Sequence, residues 1–193
     1  MGREKEKSEL DKKAVLRLNN EEAKKLTREC FQMALIYLMN EKPFDQISVT
    51  DLVKRSGVSR TAFYRHYKAK EDILESIRSG IEAKLTAIIE KNKGQQTMVQ
   101  GFKECFDFVR ENRKTIKLML GAGMSRESLF HNTSLLEKIH PSDTYQKHYV
   151  KLASESAFSR IVVEWFITGM KESTESMAAL CEHLFSGIEK IIF

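Results

Sequence analysis

Residues 47–70 read ISVTDLVKRSGVSRTAFYRHYKAK, and this stretch decides the fold of the chain. Its apolar residues recur at three- and four-residue steps on both sides of Ser56-Gly57-Val58, which indicates two short helices. Ser48 and Asp51 have the spacing of a helix N-cap, and Ser59 is suited to cap the second helix. Gly57 can adopt the left-handed conformation that ends a helix. The break is so short that the two helices must touch, as in a helix-turn-helix.

The outward face of the second predicted helix carries side chains suited to nucleic acid. Ala62, Phe63 and Tyr67 are expected to pack inward, which leaves cationic, hydroxyl and aromatic groups outside. A duplex offers phosphates to such groups, and its major groove admits one helix that reaches the base edges. We therefore predict contacts with double-stranded DNA by Ser48, Thr50, Ser59, Arg60, Thr61, Tyr64, Arg65, His66 and Lys70. Judged by residue type alone, a charged helical hairpin facing solvent remains an alternative.

The segment TDLVKRSGVSRTAFYRHYKAKEDIL, residues 50–74, resembles the DNA-binding signature of the TetR/AcrR family of bacterial transcriptional regulators. It shares the family's Gly-Val-Ser turn, its hydrophobic-Tyr run and the Lys-Glu pair that opens the next helix. The resemblance extends over residues 26–77. It departs at Thr61, where family members often have a very small residue, and at Arg65, where they often have His or Tyr. The operator sequence therefore cannot be taken from a relative.

Two further segments, FVRENRKTIKLMLG at 108–121 and EWFITGMKES at 164–173, resemble the regulatory region of one TetR branch common in Gram-positive bacteria. That branch includes a coactivator of dihydroxyacetone kinase genes besides repressors. The resemblance also implies that the start of the first helix, with Lys24, Lys25 and Arg28, can approach a phosphate, as it does in relatives. It leaves the sign of regulation open.

Size and charge agree with a helical protein that meets an anionic partner. The chain has 193 residues, enough for one or two domains with a real core, and only two prolines and nine glycines. Its net charge of +5 is concentrated in residues 1–70, which hold 16 Lys and Arg against 10 Asp and Glu. Such a positive end suits nucleic acid, although solvated helix faces are often lysine-rich as well.

Several other classes of function find no support in the sequence. Cys30, Cys105 and Cys181 are odd in number and far apart, so we expect small core residues rather than a disulfide or a zinc site. The widely spaced His131, His140 and His148 do not have metal-ligand spacing. Neither a nucleophile motif nor a glycine-rich phosphate loop is present. We predict no enzyme activity, no cofactor and no metal.

The chain also lacks the features of exported or membrane-bound proteins. Its first residues have no apolar run of the kind that a signal peptide needs, and no stretch approaches the length of a membrane span. We therefore predict a cytoplasmic protein without a membrane partner.

The predicted architecture is all-α with about nine helices. Residues 1–18 are expected to form a flexible N-terminal arm, because charges alternate there with little apolar content. Residues 19–70 form the predicted helix-turn-helix DNA-binding domain, whose first helix would be capped by Asn19 or Asn20. Residues 71–193 form the predicted effector-binding and dimerisation domain, which opens with a long connecting helix.

The last two predicted helices, from residue 145 onward, are apolar over more than one narrow stripe. The simplest cover for the second stripe is another copy of the chain, which gives a twofold homodimer. Such a dimer would present two recognition helices to a palindromic operator. TetR-like proteins pair in a similar way, through their last two helices.

Clefts between bundle helices are common small-molecule sites, so a sensor pocket is plausible in the second domain. The candidate lining residues are Phe102, Phe106, Met119, Phe130, Tyr149, Trp165 and Phe166. Ordinary core packing is the alternative for most of them. We predict a repressor that an unknown small-molecule effector releases from its operator. The alternatives are a TetR-like coactivator or interaction protein that acts through a protein partner and, third, an enzyme that uses the pocket.

Overall fold

A computed structural model gives the fold of the chain and describes the backbone of residues 2–92, 97–125 and 145–186. Side chains are described from residue 20 onward, apart from 146–148 and 151. These parts of the chain contain eight α-helices and no strand, which confirms the predicted all-α class. The helices are α1 (Gly2–Glu41), α2 (Val49–Ser56), α3 (Arg60–His66), α4 (Lys70–Asn92), α5 (Val99–Glu111), α6 (Arg113–Gly121), α7 (Tyr145–Ile167) and α8 (Thr174–Phe185), with a 3-10 turn at Phe44–Gln46.

The helical fragments that we expected at 128–130 and 135–139 lie outside the described residues. None of the described helices combines the length and the apolar content that crossing a bilayer requires.

Helix α1 begins at Gly2, well before Asn19 and Asn20, so the prediction that one of these residues caps the first helix is wrong. The helix backbone includes residues 2–18, and the flexibility that we expected of this arm stays a prediction. The helix begins this early because no glycine or proline occurs between residues 3 and 42, while Glu, Lys, Leu and Arg favour helix strongly. Asparagine inside a helix costs only a few tenths of a kcal/mol, roughly, so it does not interrupt the run.

The chain divides into two compact units, and the division falls between Ile77 and Arg78 inside α4 rather than after residue 70. The first two turns of α4 belong to the N-terminal unit because Ile73 and Ile77 are buried there. In the same unit the Gln32 amide donates a 2.9 Å hydrogen bond to the Ser76 hydroxyl. The N-terminal unit thus includes part of the helix that we assigned to the second domain.

An aromatic core fixes α3 against α1 in the N-terminal unit. Phe31 of α1 and Phe63 of α3 are fully buried, with ring centroids 5.4 Å apart and the rings edge to face. Tyr67, just after α3, is also buried and stands edge-on to Phe31. Burial of each such side chain contributes about 1.5–3 kcal/mol to the free energy of folding. Because the inward face of α3 is anchored in this way, the side chains on the opposite face must point to solvent.

In the second unit, α5 packs against α8 through a buried apolar face. Cys105 and Cys181, which come from these two helices, are fully buried free thiols, as the sequence led us to expect. Burial raises the pKa of both thiols to about 12, so they are protonated at neutral pH. Cys30 on α1 is half-buried and free.

Three of the seven predicted pocket residues, Phe102, Phe106 and Trp165, lie in one close-packed aromatic cluster. Phe106 is 5.0 Å from Trp165, and both Phe102 and Phe106 contact Phe158, with centroids 5.2 and 5.9 Å apart. Phe185 completes the cluster at 5.8 Å from Phe102. In this arrangement the rings fill the space between one another, which is ordinary core packing. Phe158 and Phe185 are not among the residues that we predicted to line a pocket.

The other candidates for the pocket differ in position. Met119 is fully buried on α6 and Phe166 is half-buried on α7. Tyr149 is 62% exposed and Tyr145, one turn before it on α7, is 73% exposed, so the role of Tyr149 as a lining residue stays a prediction. Phe130 lies outside the described residues. Effector binding by this unit therefore stays a prediction.

Candidate nucleic-acid interface

A reciprocal capping box starts helix α2. The Asp51 backbone N–H donates to the Ser48 hydroxyl at 3.1 Å, and the Ser48 backbone N–H donates to the Asp51 carboxylate at 2.9 Å. Lys42 donates a further 2.8 Å hydrogen bond to the same carboxylate oxygen. Together these donors, Lys42 first, hold the pKa of Asp51 well below its ordinary range. Ser48, a predicted DNA contact, is exposed, but its side chain is engaged in the cap.

The turn between α2 and α3 has the geometry that the sequence predicts. Gly57 has a φ of 69° and closes α2 with a hydrogen bond from its N–H to the Val53 carbonyl. Ser59 caps α3, because its hydroxyl accepts a 3.2 Å hydrogen bond from the Ala62 N–H. Two residues in extended or left-handed conformation are enough to redirect the chain, so the two helices form a helix-turn-helix.

The outward face of α3 presents the predicted contact residues side by side. Arg60, Thr61, Tyr64 and Arg65 are all exposed, whereas Phe63 on the opposite face is fully buried. The Tyr64 ring, 57% exposed, stands edge-on to Phe63 with the centroids 5.1 Å apart, which restricts its orientation. This face offers two guanidinium groups, a hydroxyl and a phenol to a partner.

Helix α2 adds a hydroxyl to this face. The Arg60 guanidinium donates a 2.6 Å hydrogen bond to the Thr50 hydroxyl, and both residues are exposed. A guanidinium has five N–H donors, so one bond to Thr50 leaves donors that can reach a phosphate or a guanine. Thr50 is thereby placed to orient Arg60.

Lys70 has a different environment from the one predicted. Its ammonium donates to the backbone carbonyls of Phe44, Asp45 and Ile47 at 2.6, 3.0 and 2.9 Å. It also lies 4.6 Å from the centre of the Phe44 ring. An ammonium has three hydrogens, and all three are used here. Lys70 therefore ties the start of α4 to the 3-10 turn before α2, and its predicted contact with DNA stays a prediction.

His66, the last residue of α3, is half-buried beside cations from two helices. Burial lowers the pKa of its imidazole below the ordinary 6.5, and the charges of Arg28 and Lys24 on α1 and of Arg65 on α3 lower it further. Lys24 and Arg28 lie outside the set of contacts that we predicted from α2 and α3. The family resemblance pointed to them as the α1 residues that approach a phosphate.

The described residues of this face do not form a candidate metal site. Within the described ranges, no group of three His, Cys, Asp or Glu side chains is arranged to hold an ion.

Comparisons with known proteins agree with this geometry. Residues 34–77 match the sequence profile described as "Bacterial regulatory proteins, tetR family". The nucleoid occlusion factor SlmA from Glaesserella parasuis serovar 5 (strain SH0165) is 22% identical over 117 residues, which are 58% of this chain and 58% of that protein.

Two solved structures have a similar fold over most of their length. A TetR transcriptional regulator from Streptococcus agalactiae 2603V superposes with a TM-score of 0.54 and 19% identity, over 87% of this chain and 98% of the other. The dihydroxyacetone kinase operon activator DhaS superposes with a TM-score of 0.55 and 17% identity, over 86% and 97%. The first is named as a transcriptional regulator and the second as an operon activator. Residues 34–77 of this chain, which contain the helix-turn-helix, are therefore similar to bacterial regulatory proteins of the tetR family.

Proposed function

We propose that this protein is a sequence-specific transcriptional regulator whose helix α3 enters the major groove of its operator. The observation that carries the proposal is the exposure of Arg60, Thr61, Tyr64 and Arg65 on one face of a helix whose other face is anchored by Phe63. With seven residues, α3 is about 10 Å long, which suits a groove about 12 Å wide. Because its target is the chromosome, the regulator acts in the cytoplasm.

The proposed working form is a homodimer through α7 and α8. Leu180 and Leu184 are 46% and 49% exposed and lie one turn apart on α8, while Ala153 and Ala157 are exposed one turn apart on α7. Exposed leucines on one helix and exposed small residues on the other suit close packing against a second subunit, and a twofold arrangement would present two α3 helices to a palindromic operator. Replacing both leucines by lysine should yield a monomer in sedimentation velocity. Val99→Lys, at an exposed apolar residue of α5, is the control, and a dimer that survives the double change would contradict this interface.

Regulation is proposed as repression relieved by a small molecule that binds the second unit. The family resemblance motivates this part of the proposal. An effector that binds one conformation of the dimer better than another shifts the population toward it. If the favoured conformation sets the two α3 helices at a spacing that no longer matches successive major grooves, affinity for the operator falls. Helix α4, which runs from Lys70 to Asn92 through the division between the units, is the element available to connect these events.

An electrophoretic mobility-shift assay tests the DNA-binding proposal. Its probe is a duplex from the region upstream of the gene that encodes this protein. The wild-type protein should retard the duplex, and Arg60→Ala or Tyr64→Ala should abolish the shift because each removes a side chain that faces the groove. Arg113→Ala, at an exposed arginine of α6, is the matched control for the loss of one positive charge. If neither substitution on α3 changes the shift, α3 is not the reading helix.

A role as transcriptional coactivator is the second candidate function. We consider it because the fold is similar to that of an operon activator. Expression of a reporter from the regulated promoter separates the two, because deletion of a repressor raises expression and deletion of an activator lowers it. Genome-wide mapping of bound DNA extends the test, since bound sites clustered at promoters indicate transcriptional control. Sites spread away from promoters would instead indicate a role on the chromosome such as the name of SlmA implies for that relative.

A further inference from the structure

Arg60 is the first residue of α3, and its exposed side chain is held by a neutral group. Its Nη2 donates a 2.6 Å hydrogen bond to the hydroxyl of Thr50 on α2, which is also exposed. Arg55, at the other end of α2, is held by a carboxylate instead, that of Glu41 at 2.9 Å. A hydroxyl carries no charge, so the bond to Thr50 fixes the direction of Arg60 without neutralising its guanidinium.

The hydrogen bond joins two firmly held pieces of backbone. Thr50 lies in the first turn of α2, which the capping box between Ser48 and Asp51 holds, and the nearby Leu52 is fully buried. The first turn of α3 is capped in turn by Ser59. A side chain that is already oriented loses less conformational entropy on binding, which favours contacts that require one geometry.

The two acceptor groups that a duplex offers to arginine differ in this requirement. Phosphate oxygens point in several directions and accept hydrogen bonds from lysine and arginine alike. The major-groove edge of guanine presents O6 and N7 in one plane, and a guanidinium matches this pair with two parallel N–H donors. A guanine therefore gains more than a phosphate does from a guanidinium whose orientation is set in advance.

The donors and the position of Arg60 both suit a guanine. A guanidinium has five N–H donors, arranged as two edges that each offer a pair and that share Nη2. Whichever hydrogen of Nη2 is bound to Thr50, the pair on one edge stays available. Arg60 also lies at the N-terminal end of α3, and in helix-turn-helix proteins the N-terminal residues of the second helix contact the base edges.

We propose that Arg60 reads a guanine in each half of the operator, through paired hydrogen bonds to O6 and N7, and that Thr50 positions it for this contact. The inference rests on the proposed function, since it assumes that α3 lies in the major groove. It assigns Arg60 to a base rather than to a phosphate, and it requires a G·C pair at a fixed position of each half-site. Replacing that pair should weaken binding by roughly five- to 150-fold.

Selection from a library of random duplexes, at low salt so that weakened variants still bind, tests the proposal. Sequences bound by the wild type should share a guanine at one position of each half-site. Arg60→Gln removes the guanidinium and should lose the preference for guanine there. Arg55→Gln removes the same group from the arginine paired with Glu41, and this control should keep the preference. If Arg60→Gln binds all sequences more weakly and keeps the preference, Arg60 contacts a phosphate and the inference is overturned.

Base analogues test the same contact on the wild-type protein. In the selected duplex, 7-deazaguanine at the shared position replaces the N7 acceptor by C–H, so it should weaken binding by about tenfold or more. Inosine keeps O6 and N7 and lacks only the amino group in the minor groove, so it should bind as guanine does. Fluorescence anisotropy measures both duplexes. Wild-type binding that is indifferent to 7-deazaguanine would overturn the proposal.

The analogue and the variant together assign the contact to Arg60. In Arg60→Gln, 7-deazaguanine should cost little further affinity, because the donors that bind N7 are already gone. An equal cost in the variant and the wild type would show that another side chain reads this guanine. If the wild type enriches no sequence at all, sequence-specific DNA binding itself is refuted, whereas an enriched operator without this guanine refutes only the present inference.

Discussion

The guanidinium of Arg60 donates a 2.6 Å hydrogen bond to the hydroxyl of Thr50, and this bond links the first turn of α3 to the first turn of α2. Both residues face solvent, so neither is needed to fill the core. The bond selects one direction for a long side chain that would otherwise sample many rotamers. In the proposed interface, Thr50 therefore acts on DNA recognition through Arg60 in addition to any contact of its own.

Thr50→Val should weaken binding to a mapped operator by roughly two- to tenfold, the equivalent of about one net hydrogen bond. Valine keeps the shape of threonine and lacks the acceptor, whereas Thr50→Ser keeps the acceptor and should restore binding. Anisotropy on the operator and on a duplex of scrambled sequence measures the effect. Loss should be larger on the operator, and equal losses on both would show that Thr50 only contributes to general attraction.

Gly57→Ala should lower the free energy of unfolding of the N-terminal unit by about 1 kcal/mol. An added Cβ at Gly57 meets no atom within 4 Å, so the cost comes from the φ of 69° alone. Gly80→Ala is the matched control, because Gly80 also has open space around it but lies in α4 without a positive φ. That change should raise stability by about 1 kcal/mol. Urea unfolding followed by circular dichroism compares the two, and the same sign for both changes would contradict the assignment of the turn.

Lys70→Met should destabilise the N-terminal unit by about 1–3 kcal/mol because three backbone carbonyls lose their donor at once. Lys68→Met serves as the control, since Lys68 is an exposed lysine two residues earlier. Thermal unfolding should separate the two variants clearly. If both melt like the wild type, the three hydrogen bonds contribute little, and Lys70 would again be a candidate for a phosphate contact.

Acid should weaken the start of α2 through Asp51. The pKa of this carboxyl is lowered in the folded protein, so its stabilising effect is complete above the ordinary value near 3.8 and is lost as the pH falls below it. The wild type should therefore lose stability below about pH 4 more steeply than Asp51→Asn, which does not titrate. Unfolding midpoints across this range provide the measurement, and parallel curves for both proteins would argue against the ionic cap.

The local features of the DNA-binding unit could be predicted from the sequence because their signals are local. The N-cap at Ser48, the left-handed Gly57 and the cap at Ser59 each depend on residues at most three positions apart, and all three occur as expected. The role of Lys70 could not be read in this way. Its acceptors lie 23 to 26 residues earlier in the chain, so only the packing of the turn against α4 brings them together.

The second unit shows the same limit. Phe106 and Trp165 have the residue types of either a pocket or a core, and only their 5.0 Å ring contact identifies them as packed against each other. The predicted start of the first helix was wrong for the opposite reason. Asn19 and Asn20 are local signals for a helix N-cap, but the helix-forming residues on both sides outweigh them.

The engagement of Lys70 with backbone carbonyls affects how DNA binding will respond to salt. Lysine 42 is likewise committed, to Asp51, and Arg55 is paired with Glu41 at 2.9 Å. Cations held in this way displace few counterions from a duplex. The logarithm of the affinity for DNA falls with the logarithm of the salt concentration, with a slope close to 0.9 per neutralised phosphate. We therefore expect a smaller slope than the number of lysines and arginines in the N-terminal third suggests. Ionic strength thus reports how many of these cations face DNA and how many hold the protein together.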